Sequence, residues 1–113
     1  MKLFILTEGS KDVGFGYISR CLSLAQTFEQ KGMEVEFIIN GDNSVTDFMK
    51  GKKYRLFNWI EGKETLNDIL DGAGTIMIDS YLADNSFYAY LSGVWKPKFE
   101  IGVDFTEDIK VEA

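Results

Sequence analysis

The chain has 113 residues, a formal net charge of −6, 45% hydrophobic residues, one cysteine and no histidine. This composition favours one folded domain over residues 1–113, because a chain of this size buries roughly two thirds of its unfolded surface without disulfides. The acidic balance argues against a nucleic-acid partner, and a single cysteine without histidine argues against a zinc site, so we expect neither a metal nor another cofactor.

The first strand and helix are separated by an unusually long connection. An apolar strand is predicted over residues 2–6, and it is too short for a signal peptide or a membrane span. A loop over residues 7–16 follows, and then an amphipathic helix over residues 17–31, which Gly32 ends. With the lone cysteine, this opening predicts a cytoplasmic protein with no membrane span.

The next segment contains two further strands. The run "VEFII" predicts a second strand over residues 35–39, and residues 54–59 predict a third. Between them a short helix is predicted over residues 45–50, with Asn43 or Ser44 as its cap.

The last third of the chain continues the alternation. A helix is predicted over residues 63–70, and a fourth strand over residues 75–78 ends just before Asp79. A helix over residues 85–92 and a fifth strand over residues 99–103 complete the pattern.

This alternation predicts the fold class. Successive strand and helix units joined by right-handed crossovers give an α/β fold, here a Rossmann-like, doubly wound parallel sheet of about five strands within three α/β/α layers. The expected strand order is 3-2-1-4-5. Ligands of such sheets bind where neighbouring crossovers leave to opposite faces, so the loops over residues 7–16 and 79–84 should face each other across a crevice.

The glycine-bearing loop admits two interpretations. Gly14 and Gly16 allow close backbone approach, and the N–H groups at the start of the following helix would favour an anion or a sugar hydroxyl. Alternatively, both glycines only satisfy backbone angles. A dinucleotide fingerprint is matched weakly, and no Gly-Lys-Ser/Thr follows, which excludes a P-loop.

Two motifs resemble one known family. The order "EGS", then Gly-x-Gly-Tyr-x-x-Arg-Cys-Leu-x-Leu-Ala, then "MIDSYLAD" is similar to the amino-terminal domain of UDP-sugar hydrolases of pseudaminic acid biosynthesis, the PseG family and its SpsG-like relatives. The resemblance covers the whole chain. It implies substrate-binding roles for the following residues: Glu8, Gly14, Gly16, Arg20, Ser80 and Tyr81. Tyr17 and Asp79 take the catalytic positions.

The resemblance also implies a fold and a function. Family members are similar to GT-B glycosyltransferases, in which the second domain binds UDP, so this chain would be the sugar-side half, without the UDP-binding carboxyl-terminal domain. It would act on a UDP-linked amino sugar, with a second UDP-binding domain or subunit, in surface polysaccharide or flagellin glycan biosynthesis. The alternative is a non-catalytic Rossmann-like binding or assembly subunit that docks a separate UDP-binding chain.

One departure bears on hydrolysis. Tyr17 stands where the family has its catalytic histidine, and a tyrosine ordinarily titrates near pH ~10, so ionising it at neutral pH costs roughly 4 kcal/mol. The domain is therefore expected to be inactive because of Tyr17, or incomplete alone because the UDP-binding domain is absent. Asp79 is the other candidate base, or it caps the next loop, and Arg20 either pairs with Glu8 or Asp79 or is a solvated helix residue.

Several residues are predicted to pack rather than to react. Cys21 lies on the apolar face of its helix and is expected to be a buried hydrophobe. Phe87 and Tyr90 have core spacing within their helix, and Trp59 and Trp95 are expected in packing or domain contacts.

Overall fold

A computed structural model of the chain describes residues 2–70, 75–84, 86, 87 and 89, and the backbone of residues 99–104 and 107–112. Its centre is a sheet whose first four strands are all parallel and lie in the order β3-β2-β1-β4. These strands are β1 (Lys2–Gly9), β2 (Glu34–Gly41), β3 (Lys53–Leu56) and β4 (Thr75–Asp79). The predicted α/β class, the parallel arrangement and the order of these four strands are therefore confirmed.

The sheet continues beyond β4 through backbone pairing. The strand β5 (Phe99–Asp104) runs parallel to β4, and β6 (Glu107–Glu112) runs antiparallel to β5. The sheet thus differs from the predicted one of about five parallel strands. Four parallel strands have described side chains, and the two strands beyond them include an antiparallel one.

Two helices cover opposite faces of the sheet. Because successive side chains of a strand point to opposite faces, Leu3 and Ile5 of β1 pack beneath α1 (Gly16–Gln30), whereas Phe4 and Leu6 pack on the side of α2 (Lys63–Ile69). The continuous apolar run of β1 follows from this arrangement, since a strand covered on both faces has no solvent side.

The core on the α1 side contains the buried residues Ile18, Cys21, Ala25, Val35, Phe37, Ile39, Val45, Met49 and Met77. The core on the α2 side contains the buried residues Ile38, Trp59, Leu66, Leu70, Ile76, Ile78 and Phe87. The predicted packing roles of Cys21, Trp59 and Phe87 are confirmed. The Trp59 and Phe87 rings meet edge to face, with centroids 5.1 Å apart.

Two element boundaries differ from the prediction for identifiable reasons. Instead of a helix over residues 45–50 there is a 3-10 turn, Asn43–Val45, whose cap is Asp42, because the Asp42 carboxylate accepts the Ser44 N–H at 2.9 Å. The third strand ends at Leu56 rather than residue 59, since Trp59 turns into the core, where its indole N–H donates to the Thr7 carbonyl at 2.8 Å.

Some predictions lie outside the described residues. These include most of the helix over residues 85–92, Tyr90 and Trp95, and the side chains of the fifth strand. None of the helices in the described part of the chain has the length and apolar composition that a bilayer crossing requires.

Candidate functional site at the carboxyl edge of the sheet

The carboxyl ends of β1 and β4 lie side by side, since the two strands pair in parallel from Leu3 with Thr75 to Leu6 with Ile78. Thr7 continues this pairing by donating its hydroxyl to the Asp79 carbonyl at 2.9 Å. The loops that follow the two strands therefore start from neighbouring points of one edge.

An ion pair occupies the α1 side of this edge. The Asp79 carboxylate has no exposed surface, and it accepts from Arg20 Nε at 2.7 Å and from Arg20 Nη2 through its other oxygen. The Cys21 thiol donates to the same carboxylate at 3.6 Å. Of the alternatives for Arg20, the pair with Asp79 is the one found. Both Asp79 oxygens accept hydrogen bonds from the guanidinium.

The ion pair alters its neighbours. The hydrogen bond to Asp79 raises the pKa of Arg20 further above its ordinary value, which keeps the guanidinium charged. Burial, reinforced by the Asp79 charge, raises the pKa of the Cys21 thiol far above its ordinary value, so Cys21 is not a nucleophile in this fold.

Tyr17 packs behind the ion pair rather than projecting into solvent. Its side chain is buried, and its ring centroid lies 5.6 Å from Arg20 Cζ, within the range of a cation–π contact. Tyr17, Arg20 and Asp79 therefore form one contiguous group on the α1 side.

A second carboxylate lies on the opposite side of the sheet. Glu8 is completely buried, and its carboxylate accepts from the Ser80 hydroxyl and from the Tyr81 backbone N–H, the latter at 3.2 Å. Burial raises the pKa of Glu8 above its ordinary value, although the hydrogen bonds from Ser80 and Tyr81 oppose the shift, and the nearby Asp79 charge adds to it.

The loop that carries Tyr81 is closed by Ser80. The Ser80 hydroxyl oxygen accepts the N–H groups of Leu82 at 3.1 Å and Ala83 at 3.0 Å, a local side-chain turn. Tyr81 and Leu82 are left 65% and 51% exposed. Of the predicted site residues, Tyr81 is the most open aromatic one.

The glycine loop is tighter than predicted, because β1 extends to Gly9 and α1 begins at Gly16. Ser10 and Gly14 exchange two backbone hydrogen bonds, and Gly14 has a φ of 89°. Gly14 thus occupies a backbone conformation that favours glycine, and Gly16 is exposed at the start of α1.

Three residues of this edge were missed by sequence reasoning. They are Thr7, Gly9 and Trp59, and the first two directly flank Glu8 in the printed sequence. A Cβ on Gly9 would lie 2.2 Å from Ile18 Cδ1, so glycine permits β1 to approach α1 closely. The sequence signal for Gly9 was its place as a small residue directly after the acidic Glu8.

The site has two separate chemical halves. One is the partly buried ion pair of Arg20 and Asp79 beside the Tyr17 ring, and the other is the buried Glu8, which binds the loop that carries Tyr81. Within the part of the chain that the structure describes, no group of three acidic, cysteine or histidine side chains is arranged to hold a metal ion. No known protein family, curated protein or solved structure matches the chain.

Proposed function

We propose that this chain is the sugar-side domain of a nucleotide-sugar hydrolase or glycosyltransferase-like protein, acting on a UDP-linked amino sugar. The observation that supports the proposal is that residues of the two motifs, carried by β1, α1, the end of β4 and the loop after it, meet at the carboxyl edge of β1 and β4. Glu8 contacts Ser80 and Tyr81, and Arg20 contacts Asp79, across more than fifty residues of sequence in each case. This edge is where open α/β sheets bind ligands.

The proposed roles follow from exposure. Tyr81 would stack on a sugar ring, since an exposed phenol offers both an apolar face and a hydroxyl. Gly14 and Gly16 would let the ligand approach the start of α1. Arg20, whose side chain is 31% exposed, would present part of its guanidinium to a ligand at this edge.

The binding test uses the whole chain. We expect UDP-N-acetylglucosamine to shift the amide NMR signals of Gly14, Gly16 and Tyr81, whereas UDP alone at the same concentration leaves them in place. Tyr81→Ala should abolish the shifts, and Leu82→Ala, its exposed neighbour, is the matched control. Tight binding of UDP by itself would contradict the assignment of the sugar-side half.

The catalytic part of the proposal has its own test. Tyr17 is buried, and a phenol is a poor general base at neutral pH, so we expect the chain to release no UDP from UDP-N-acetylglucosamine. The same assay on Tyr17→His provides the comparison. Measurable release of UDP by the unaltered protein would refute the prediction of inactivity.

A second candidate function is favoured by the exposed apolar side chains near this edge. Val13, Phe48 and Leu82 are each more than 40% exposed, and Phe48 stacks on Phe15 with ring centroids 4.7 Å apart. Such side chains suit an assembly subunit that docks a separate UDP-binding chain. Under this alternative, Phe48→Ser would weaken assembly with that chain, whereas Tyr81→Ala would not alter sugar binding.

A further inference from the structure

The loop over residues 80–83 is held by a side chain from another strand. Glu8 of β1 accepts the Ser80 hydroxyl on one oxygen and the Tyr81 N–H on the other, at 3.2 Å. Ser80 in turn accepts the N–H groups of Leu82 and Ala83. Three consecutive backbone N–H groups of the loop thus converge on the Glu8–Ser80 pair.

We propose that Glu8 is a positioning residue of the candidate site, which fixes the loop over residues 80–83 to β1 and so places the Tyr81 ring for the ligand. This inference rests on the function proposed above. Glu8 has no exposed surface, whereas Tyr81 is 65% exposed. The Glu8 carboxylate therefore affects ligand binding through the position of the loop over residues 80–83.

The charge of Glu8 sets the strength of this link. An ionised carboxylate offers only acceptors, which suits two donors, and charge-assisted hydrogen bonds are about twice as strong as neutral ones. Protonation of Glu8 removes the charge and adds an O–H donor to a carboxyl group that the Ser80 hydroxyl and the Tyr81 N–H already approach as donors. The loop is therefore firmly held when Glu8 is ionised and loosened when it is neutral.

The surroundings favour the neutral form more than water does. Burial raises the pKa of Glu8, and the Asp79 charge from β4 adds to the shift. From α1, Arg20 is paired with Asp79, and β2 places the uncharged Asn40 level with Glu8. The uncharged Trp59 packs on the same side of the sheet as Phe4 and Leu6. Loosening of the loop should thus occur at a higher pH than an exposed glutamate would require.

The first test needs no ligand. We expect the Tyr81 amide proton and the Glu8 carboxyl carbon to titrate together by NMR, with one midpoint above pH ~4.5. Glu8→Gln should abolish the titration of the Tyr81 amide. Glu36→Gln, which neutralises another fully buried glutamate of the sheet, is the matched control and should preserve it. A Tyr81 amide signal that stays constant while Glu8 titrates would overturn the proposal.

The second test measures binding of UDP-N-acetylglucosamine. At pH 7.5 we expect Glu8→Gln to weaken binding about tenfold, the loss of roughly one charge-assisted hydrogen bond. The unaltered protein should weaken toward the same value as pH falls through the Glu8 midpoint. Ser80→Ala breaks the same link from the other side and serves if Glu8→Gln does not fold.

The outcomes of the two tests separate the two proposals. Equal affinity of Glu8→Gln and the unaltered protein would overturn the positioning role even if the Tyr81 amide titrates. If the unaltered protein does not bind UDP-N-acetylglucosamine at any pH, the proposed function is overturned. A titrating Tyr81 amide would then still support the hold of Glu8 on the loop.

Discussion

Asp79 is a carboxylate with no exposed surface whose two oxygens both accept from one guanidinium. Such pairs add little stability relative to apolar substitutes, because desolvation offsets the attraction, but removal of one partner leaves a charge without compensation. The Arg20 side chain retains 31% exposure, so solvent limits the cost of losing the Asp79 carboxylate.

We therefore expect Asp79→Asn to lower the free energy of unfolding by about 3 kcal/mol, the low end for a broken buried pair. Urea unfolding followed by circular dichroism measures it. The matched control is Asp47→Asn, since Asp47 and Lys50 form an exposed pair at 3.7 Å, and we expect a change below about 0.5 kcal/mol. Equal losses of unfolding free energy would show that the Arg20–Asp79 pair stabilises the fold no more than the exposed Asp47–Lys50 pair does.

Glu36 is a buried carboxylate in a cationic surrounding. Burial raises its pKa, but Lys2 at 3.0 Å, Arg55 at 2.8 Å and Lys53 at 3.3 Å outweigh that effect and hold the pKa below the ordinary value of 4.5. A depressed pKa in the folded state contributes stability above pH 4.5, which is lost as the pH falls through the folded-state pKa. For unfolding of the whole chain Glu8 has the opposite sign, because burial raises its pKa and so favours the folded state at low pH, although its hydrogen bonds from Ser80 and Tyr81 favour the ionised form.

Glu36→Gln should accordingly remove part of the loss of stability below pH 4.5. The measurement is the melting temperature of the unaltered and substituted proteins across an acid pH series. Glu34→Gln provides the control, because Glu34 lies 3.6 Å from Lys53 but its side chain is 63% exposed. Parallel curves for the unaltered protein and Glu36→Gln would contradict the expectation.

At the scale of elements, β1 and β2 leave no room for a side chain at Gly41, where both strands end. Gly9 pairs with Gly41, and a Cβ on Gly41 would lie 2.0 Å from the Gly9 carbonyl oxygen. The obstacle is backbone rather than a flexible side chain, so the strand ends would have to separate. That separation would move the first residues of the glycine loop.

We expect Gly41→Ala to destabilise the protein by about 1–3 kcal/mol, the usual cost of overpacking. Amide NMR signals should shift at Gly9 and Ser10 as the strand end moves. Gln26→Ala on the exposed face of α1 is the control, with no shift at β1. Unchanged Gly9 and Ser10 signals in Gly41→Ala would rule out the close approach.

The elements were predictable from the sequence to the extent that local patterns specify them. The continuous apolar run of β1 arises because this strand is buried on both faces. The helical spacing of apolar residues in α1 arises because this helix is buried on one face. The boundaries were less predictable, because distant contacts set them. Trp59 lies beyond the third strand because its indole N–H donates to the Thr7 carbonyl, and no local sequence pattern indicates a partner 52 residues away.

At the scale of the whole molecule, two apolar cores share one sheet. Ile5 belongs to the core on the α1 side and Ile76 to the core on the α2 side, and both are fully buried on adjacent strands. If the helix on one face left the sheet, it would expose one face of strands whose other face is covered by the second helix. The two cores should therefore unfold together.

This expectation is tested by following the methyl NMR signals of Ile5 and Ile76 through a urea titration. We expect both folded-state signals to vanish with one midpoint. Leu66→Ala, which opens the core on the α2 side, should lower the shared midpoint for both signals by the same amount. Two separate midpoints would mean that the layers are independent units.

The site was predictable in its position and less so in its contacts. Parallel strand order places the two motif loops at one edge, which follows from topology. The partners within the edge depend on side-chain direction. An Arg20 pair with Glu8 or Asp79 was among the predicted alternatives, and the structure contains the pair with Asp79. The complete burial of Glu8 was not predicted. Burial and the choice of a charge partner are tertiary properties, so the motifs alone left them open.

The alternation of β1 makes this edge intolerant of insertions and deletions. Thr7 and Glu8 are consecutive, yet one is bonded to the Asp79 carbonyl and the other reaches Ser80. Removal of one residue from the middle of β1 would turn the glutamate toward the Arg20–Asp79 pair and leave the Ser80 hydroxyl and Tyr81 N–H without their acceptor. Natural variants of this protein should therefore change length after Gly9, and not within β1.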